Sequence, residues 1–130
     1  MRELQLSIQL SKRDHMRALT IAVLMWLMAL PANAEGLQLL MVEEHGCIYC
    51  ARWNADVAPE YPITDEGRAA PLVRVDVSDQ PYSEFQLDRR AVFTPTFVLI
   101  RDGVEVSRLE GYPGEDFFWG LLARMIADAQ

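Results

Sequence analysis

Leu37-Gln38-Leu39-Leu40-Met41-Val42 is apolar at nearly every position, the pattern of a strand buried on both faces of a sheet. The polar Glu43-Glu44-His45-Gly46 ends it. Beyond that point the period changes. Cys50, Trp53, Asn54 and Val57 fall at i, i+3, i+4 and i+7, predicting a helix that begins at Cys47 and runs toward Val57. Pro59 and Pro62 stop it. Leu72-Val73-Arg74-Val75-Asp76-Val77 is rich in β-branched residues and reads as the next strand. Ser78 to Arg90 has no clear period and predicts a short helix around Ser83–Arg89. Thr96-Phe97-Val98-Leu99-Ile100 has the character of a central strand. Asp102-Gly103 then turns the chain into Val104–Leu109, the glycine supplying positive φ. A last helix starts at about Glu115, with Phe118, Leu121, Leu122 and Met125 on one face. Glu115 and Asp116 in its first turn and Arg124 near its end suit the helix dipole. Gly120 inside it costs roughly 1 kcal/mol against alanine.

Strand, helix, strand, a variable stretch, then strand, hairpin, strand and helix define a small α/β domain. A parallel pair joined by a helix, followed by an antiparallel hairpin, gives a mixed four-stranded sheet flanked by helices. That domain spans residues 35–130. The preceding residues have a different character. Ala18 to Leu30 carries no charge, with Lys12, Arg13 and Arg17 before it and Pro31-Ala32-Asn33-Ala34 after it. A basic region, a short apolar core and an Ala-x-Ala site predict a secretory signal peptide over residues 1–34, cut after Ala34. As a helix the apolar run would reach only about 20 Å, against roughly 30 Å of bilayer hydrocarbon. Met16 offers a second start, and the sequence does not choose between it and Met1.

Charge narrows the function classes. The formal net charge is −7 over 130 residues. Cleavage after Ala34 would leave a mature chain of about −9, with arginine as its only basic side chain apart from histidine. Recognition of nucleic acid or anionic lipid needs clustered Lys and Arg, and this chain does not offer it.

The chemistry rests on the two cysteines, Cys47-Ile48-Tyr49-Cys50. A structural cross-link explains them poorly, because its stabilisation grows with loop length and only two residues are enclosed. A structural zinc site wants four ligands, and His45 is the only other nitrogen or sulfur ligand of the usual kind after residue 34. A site shared between two chains, or a two-coordinate copper(I) site, remains open. A redox pair accounts for more. Placed after a buried strand and opening a helix, the first sulfur meets free N–H groups and the positive end of the dipole. At up to about 2 kcal/mol, the dipole lowers a thiol pKa by roughly 1.5. Glu43 and Glu44 oppose this, and a protonated His45 supports it. Cys47 is then the nucleophile and Cys50, one turn further in, the resolving thiol. Trp53 and Trp119 read as packing residues, and Tyr49 as an exposed residue able to touch a substrate.

Cys47–Cys50, followed 45 residues later by Thr94-Pro95-Thr96 at the start of a strand, resembles the thioredoxin superfamily. More narrowly, four stretches are similar to the periplasmic SoxS-type thioredoxin-like proteins associated with bacterial sulfur oxidation. They are residues 43–53, Gly67–Leu72, Thr94–Leu99 and Glu110–Trp119. The resemblance implies a thiol–disulfide oxidoreductase whose only cofactor is its own Cys47–Cys50 disulfide. It implies that Pro95 is a cis-proline facing the pair and that Thr94 and Pro95 hold the substrate backbone. It also implies a periplasmic monomer that reduces a disulfide on a sulfur-carrier protein, with electrons from a membrane thiol donor. Three departures stand out. Gly46 replaces the tryptophan that precedes the first cysteine in thioredoxin, and Ile48-Tyr49 replaces Gly-Pro. Met41 stands roughly where thioredoxin buries an aspartate, so His45, Glu43, Glu44 or water would carry the proton for Cys50. The first strand and helix of full thioredoxin are missing, which makes this a minimal version of the fold. The alternative function is a periplasmic copper(I)-handling protein using the same cysteines, and Pro95 discriminates against it.

Overall fold

The computed structural model describes residues 36–130. The segment read as a signal peptide, with Met16 and the Ala34 site, lies outside the described residues.

Strand β1 (Leu37–Glu43) runs through the middle of a four-stranded sheet. It pairs in parallel with β2 (Leu72–Asp76) and antiparallel with β3 (Thr96–Arg101), and β3 forms a hairpin with β4 (Val104–Glu110). The order is β2-β1-β3-β4. Asp102 and Gly103 both have positive φ, 50° and 80°, which matches the turn twist to that of the strands.

The two central strands alternate between two apolar clusters. Leu39, Met41, Phe97 and Leu99 face helix α1 (Ile48–Asp56) and helix α3 (Glu115–Ala129). Leu40, Val42, Val98 and Ile100 face the opposite way, toward Ala91 and the half-buried Val73, Val75, Tyr82, Phe85 and Leu87. This explains the continuous apolar runs in the sequence: both faces of β1 and β3 are covered.

No helix forms over Ser83–Arg89; the second face is covered by an irregular segment, residues 80–95. The backbone groups that a helix would use are taken by the sheet edge. Gln86 N–H donates to the Gly103 carbonyl at 2.7 Å, and Glu105 N–H to the Gln86 carbonyl at 2.9 Å. Buried Gln80 clamps the two ends of the segment, its amide nitrogen donating to the carbonyls of Val77 and Ala91 and its oxygen accepting from Ala91 N–H at 2.7 Å. The Glu105–Arg108 ion pair, with side chains only 3% and 8% exposed, holds the segment from the β4 side. Glu105 accepts from Asp88 N–H, and Arg108 donates to the Arg89 carbonyl.

Two further differences concern helices. A short helix α2 (Asp65–Ala69), capped by Thr64, was not signalled by periodicity because it is too brief to show a period. On α3 the buried line is Phe118, Leu122 and Ile126, with Trp119 and Met125 at its flanks. Leu121 is 38% exposed. It lies about 100° around the axis from Leu122 and falls outside the stripe that meets the sheet.

Gly67 packs so closely on Tyr61 that a Cβ there would overlap the Tyr61 carbonyl. Gly120 has open space around it. Gly67→Ala should therefore cost about 2–4 kcal/mol in denaturant unfolding, whereas Gly120→Ala should gain up to about 1 kcal/mol. For Glu105, burial alone would raise the carboxyl pKa, but the hydrogen bonds from Arg108 and Asp88 N–H outweigh it and hold the carboxyl below its ordinary value. A depressed folded-state pKa adds stability above the unfolded value and loses it as pH falls through the folded one. Glu105→Gln should cost about 3 kcal/mol at neutral pH. It should also flatten the acid limb of a stability-against-pH curve.

Candidate active site

The site forms where β1 ends. Gly46 adopts φ 80°, and Cys47 N–H donates back to the Glu44 carbonyl at 3.2 Å. This turn delivers Cys47, in extended conformation, to the N-cap position of α1. Its Sγ accepts the Cys50 N–H at 3.1 Å. Cys47 and Cys50 are joined as a disulfide, with Cα atoms 5.2 Å apart. Cys47 is partly exposed, whereas Cys50 is 3% exposed and belongs to the helix-side core. A sulfur facing free helix N–H groups is favoured as a thiolate once reduced.

Trp53 fixes the helix that carries this pair. It is fully buried, with ring centroids 5.3 Å from Phe97, 5.7 Å from Phe118 and 6.0 Å from Tyr61. Trp119 stacks on Tyr61 at 5.9 Å. Both tryptophans are therefore packing residues. At the far end of α1, Tyr112 donates to Asp56 at 3.0 Å. Burial, followed by that contact, pushes the Tyr112 hydroxyl up to about 12, so it stays a donor at neutral pH.

Beside the cysteines is an open hollow of about 410 Å³ whose lining includes Glu43, Glu44, His45, Cys47, Cys50, Asn54 and Asp76. The three residues considered for proton transfer thus share one hollow with both sulfurs. Asp76 joins them, and sequence reasoning missed it. Its carboxyl is held below the usual range by hydrogen bonds from the Ser78 hydroxyl and N–H. Met41 is fully buried in the same core cluster as Cys50.

Thr94 and Pro95 do not line the hollow. The Thr94–Pro95 peptide is cis, and Pro95 leads directly into β3, whose Thr96 pairs with Val42 of β1. The cis bond therefore lies at the same end of the sheet as the cysteine turn. It is anchored by Gly111 N–H to the Pro95 carbonyl at 2.7 Å and by the Thr96 hydroxyl to the Phe93 carbonyl at 2.6 Å. Around the pair, Ile48 and Tyr49 stand 62% and 51% exposed, and the Arg52 guanidinium lies 5.5 Å from the Tyr49 ring centroid. Val92 and Phe93, just before Thr94, are 77% and 62% exposed. Two apolar residues in an aperiodic stretch gave no sequence signal of this exposure.

A family model described as a thioredoxin-like domain matches residues 27–126. The chain belongs to the thioredoxin-like family. The periplasmic thioredoxin SoxS from Paracoccus pantotrophus, solved in its reduced form, is 58% identical, with the match covering 72% of this chain and 99% of that one at a TM-score of 0.70. The likeness to this relative makes the chain a SoxS-type member of the family. A thioredoxin from Malassezia sympodialis shares the fold at 17% identity and a TM-score of 0.55, covering 71% of this chain and 79% of that one. No curated protein matches the chain. With the family established and a Cys-x-x-Cys pair at disulfide distance, the protein is a thiol–disulfide oxidoreductase. Thioredoxin-like proteins act on protein disulfides.

Phe93 lends little to the core. Phe93→Ser should leave unfolding within about 0.5 kcal/mol of the parent. It should raise KM for a protein disulfide while leaving reaction with a small aromatic disulfide unchanged.

Proposed function

We propose that the protein works in the periplasm as a reductase, with Cys47 attacking a partner's disulfide and Cys50 resolving the mixed disulfide. The observation that carries this reading is the asymmetry of the two sulfurs. Cys47 is reachable and accepts a helix N–H, whereas Cys50 is buried behind it. In the forward half-reaction the Cys47 thiolate displaces one partner sulfur. Cys50 then attacks Cys47, releases the second partner thiolate and leaves the Cys47–Cys50 disulfide. Tyr49, Thr94 and Pro95 hold the partner's backbone beside the pair. Glu43, Glu44 or His45 takes the Cys50 proton, in place of the aspartate that Met41 displaces.

The export-type pattern of residues 1–34 and the periplasmic relative from Paracoccus support the compartment. The similarity to SoxS-type proteins supports a sulfur-carrier protein as the partner, with a membrane thiol donor renewing the dithiol. The protein acts as a monomer and needs no cofactor beyond its own disulfide.

Insulin reduction by the recombinant mature domain tests the activity, with Cys47→Ser as the inactive control. Cys50→Ser should trap mixed disulfides with its partner and Cys47→Ser should trap none; the reverse pattern would exchange the two roles. Equilibration with glutathione tests direction. A potential close to thioredoxin's, about −270 mV, fits a reductase, and one near −120 mV would make the protein an oxidant.

A further inference from the structure

The side chains of β2 alternate between the two faces of the sheet. Val73 and Val75 pack into the cluster beneath residues 80–95, and Leu72 packs on the helix-side core. By the same alternation Arg74 stands on the helix face, where a cation is out of keeping with its apolar neighbours. Its side chain is partly exposed, and both terminal nitrogens are engaged. Nη1 donates to Glu43 at 2.9 Å and approaches the Met41 sulfur at 3.6 Å, and Nη2 donates to Asn54 at 2.7 Å. Its guanidinium carbon lies 5.5 Å from the Trp53 ring centroid.

These partners are the surroundings of the redox pair. Glu43 and Asn54 line the hollow that contains Cys47 and Cys50, and Asn54 follows Cys50 by one helical turn. An isolated, partly exposed ion pair contributes little to stability. Arg74 does not itself line that hollow, but a planar fork that joins Glu43 at the end of β1 to Asn54 on α1 fixes the position of a carboxylate that does. We propose that Arg74 is the positioning residue of this site, holding the Glu43 carboxylate in place at the hollow as the acceptor of the Cys50 proton. This rests on the oxidoreductase reading above. When Cys50 attacks the mixed disulfide, its proton passes to Glu43, the Cys47–Cys50 bond forms, and the bond from Cys47 to the partner sulfur breaks. The dithiol loses two electrons and the partner's disulfide gains them. The other charged groups around the hollow are Glu44, His45 and Asp76, and Arg52 lies on α1 against Tyr49.

Reaction of the reduced protein with dithiobis-nitrobenzoate separates the steps, because the first coloured thiolate reports attack by Cys47 and the second reports attack by Cys50. Arg74→Met, which keeps the aliphatic stem, should slow the second phase about tenfold more than the first at neutral pH. Arg74→Lys, which restores the ion pair without the fork, should recover part of the loss and guards against misfolding of the methionine variant. Glu43→Gln should match Arg74→Met, and the double variant should be no slower than either. An unchanged second phase, equal slowing of both phases, or additive losses would overturn the assignment. A parent protein that releases neither thiolate would overturn the oxidoreductase reading and this assignment with it.

Discussion

Everything at the site depends on Trp53 being packed between the sheet and α3. Its ring meets Phe97 on β3, Phe118 on α3 and Tyr61 in the loop after α1. A helix of nine residues has little stability of its own. The aromatic cluster holds α1 in place and so aims its N-terminus. Cys47 meets the first free N–H groups of that helix because Trp53, two turns on, leaves the helix one orientation.

The sheet order supplies the second condition. β1 lies between β2 and β3, parallel to one and antiparallel to the other. The C-terminal end of β1 therefore coincides with the start of β3 and the end of β2. The cysteine turn, the cis peptide before β3, and the acidic end of β2 arrive at one edge from three distant parts of the sequence. The covering segment 80–95 serves the same end. Tied by Gln80 and by the Glu105–Arg108 pair, it brings Thr94-Pro95 back to that edge without a helix.

Around the pair the electrostatics oppose one another. Helix N–H groups favour negative sulfur, while Glu43, Glu44 and Asp76 in the hollow disfavour it. Arg74 lies against two of the residues that border this hollow and neutralises one of the acids. Met41 puts an apolar side chain into the core cluster that holds Cys50, and the Arg74–Glu43 pair beside it is partly exposed.

The strands, the helix that follows the cysteines and the hairpin were legible because each rests on local pattern: continuous apolar runs, helical spacing, Asp-Gly at a turn. The same kind of pattern misplaced Leu121, whose exposure depends on which side of α3 meets the sheet. It also suggested a helix over Ser83–Arg89, where Gln86 instead spends its backbone groups on β4. Asp76 and Arg74 looked like ordinary strand residues, for nothing in their neighbours announces what lies across the sheet. The amino-acid sequence by itself determined that Cys47 and Cys50 open a helix after a buried strand, because that needs only short-range spacing. Tertiary structure alone decided which sulfur is covered, which acids share its hollow and which cation holds one of them. The covering of Cys50, the arrival of Asp76 and the grip of Arg74 depend on contacts between residues far apart in the chain, and no local pattern encodes such contacts.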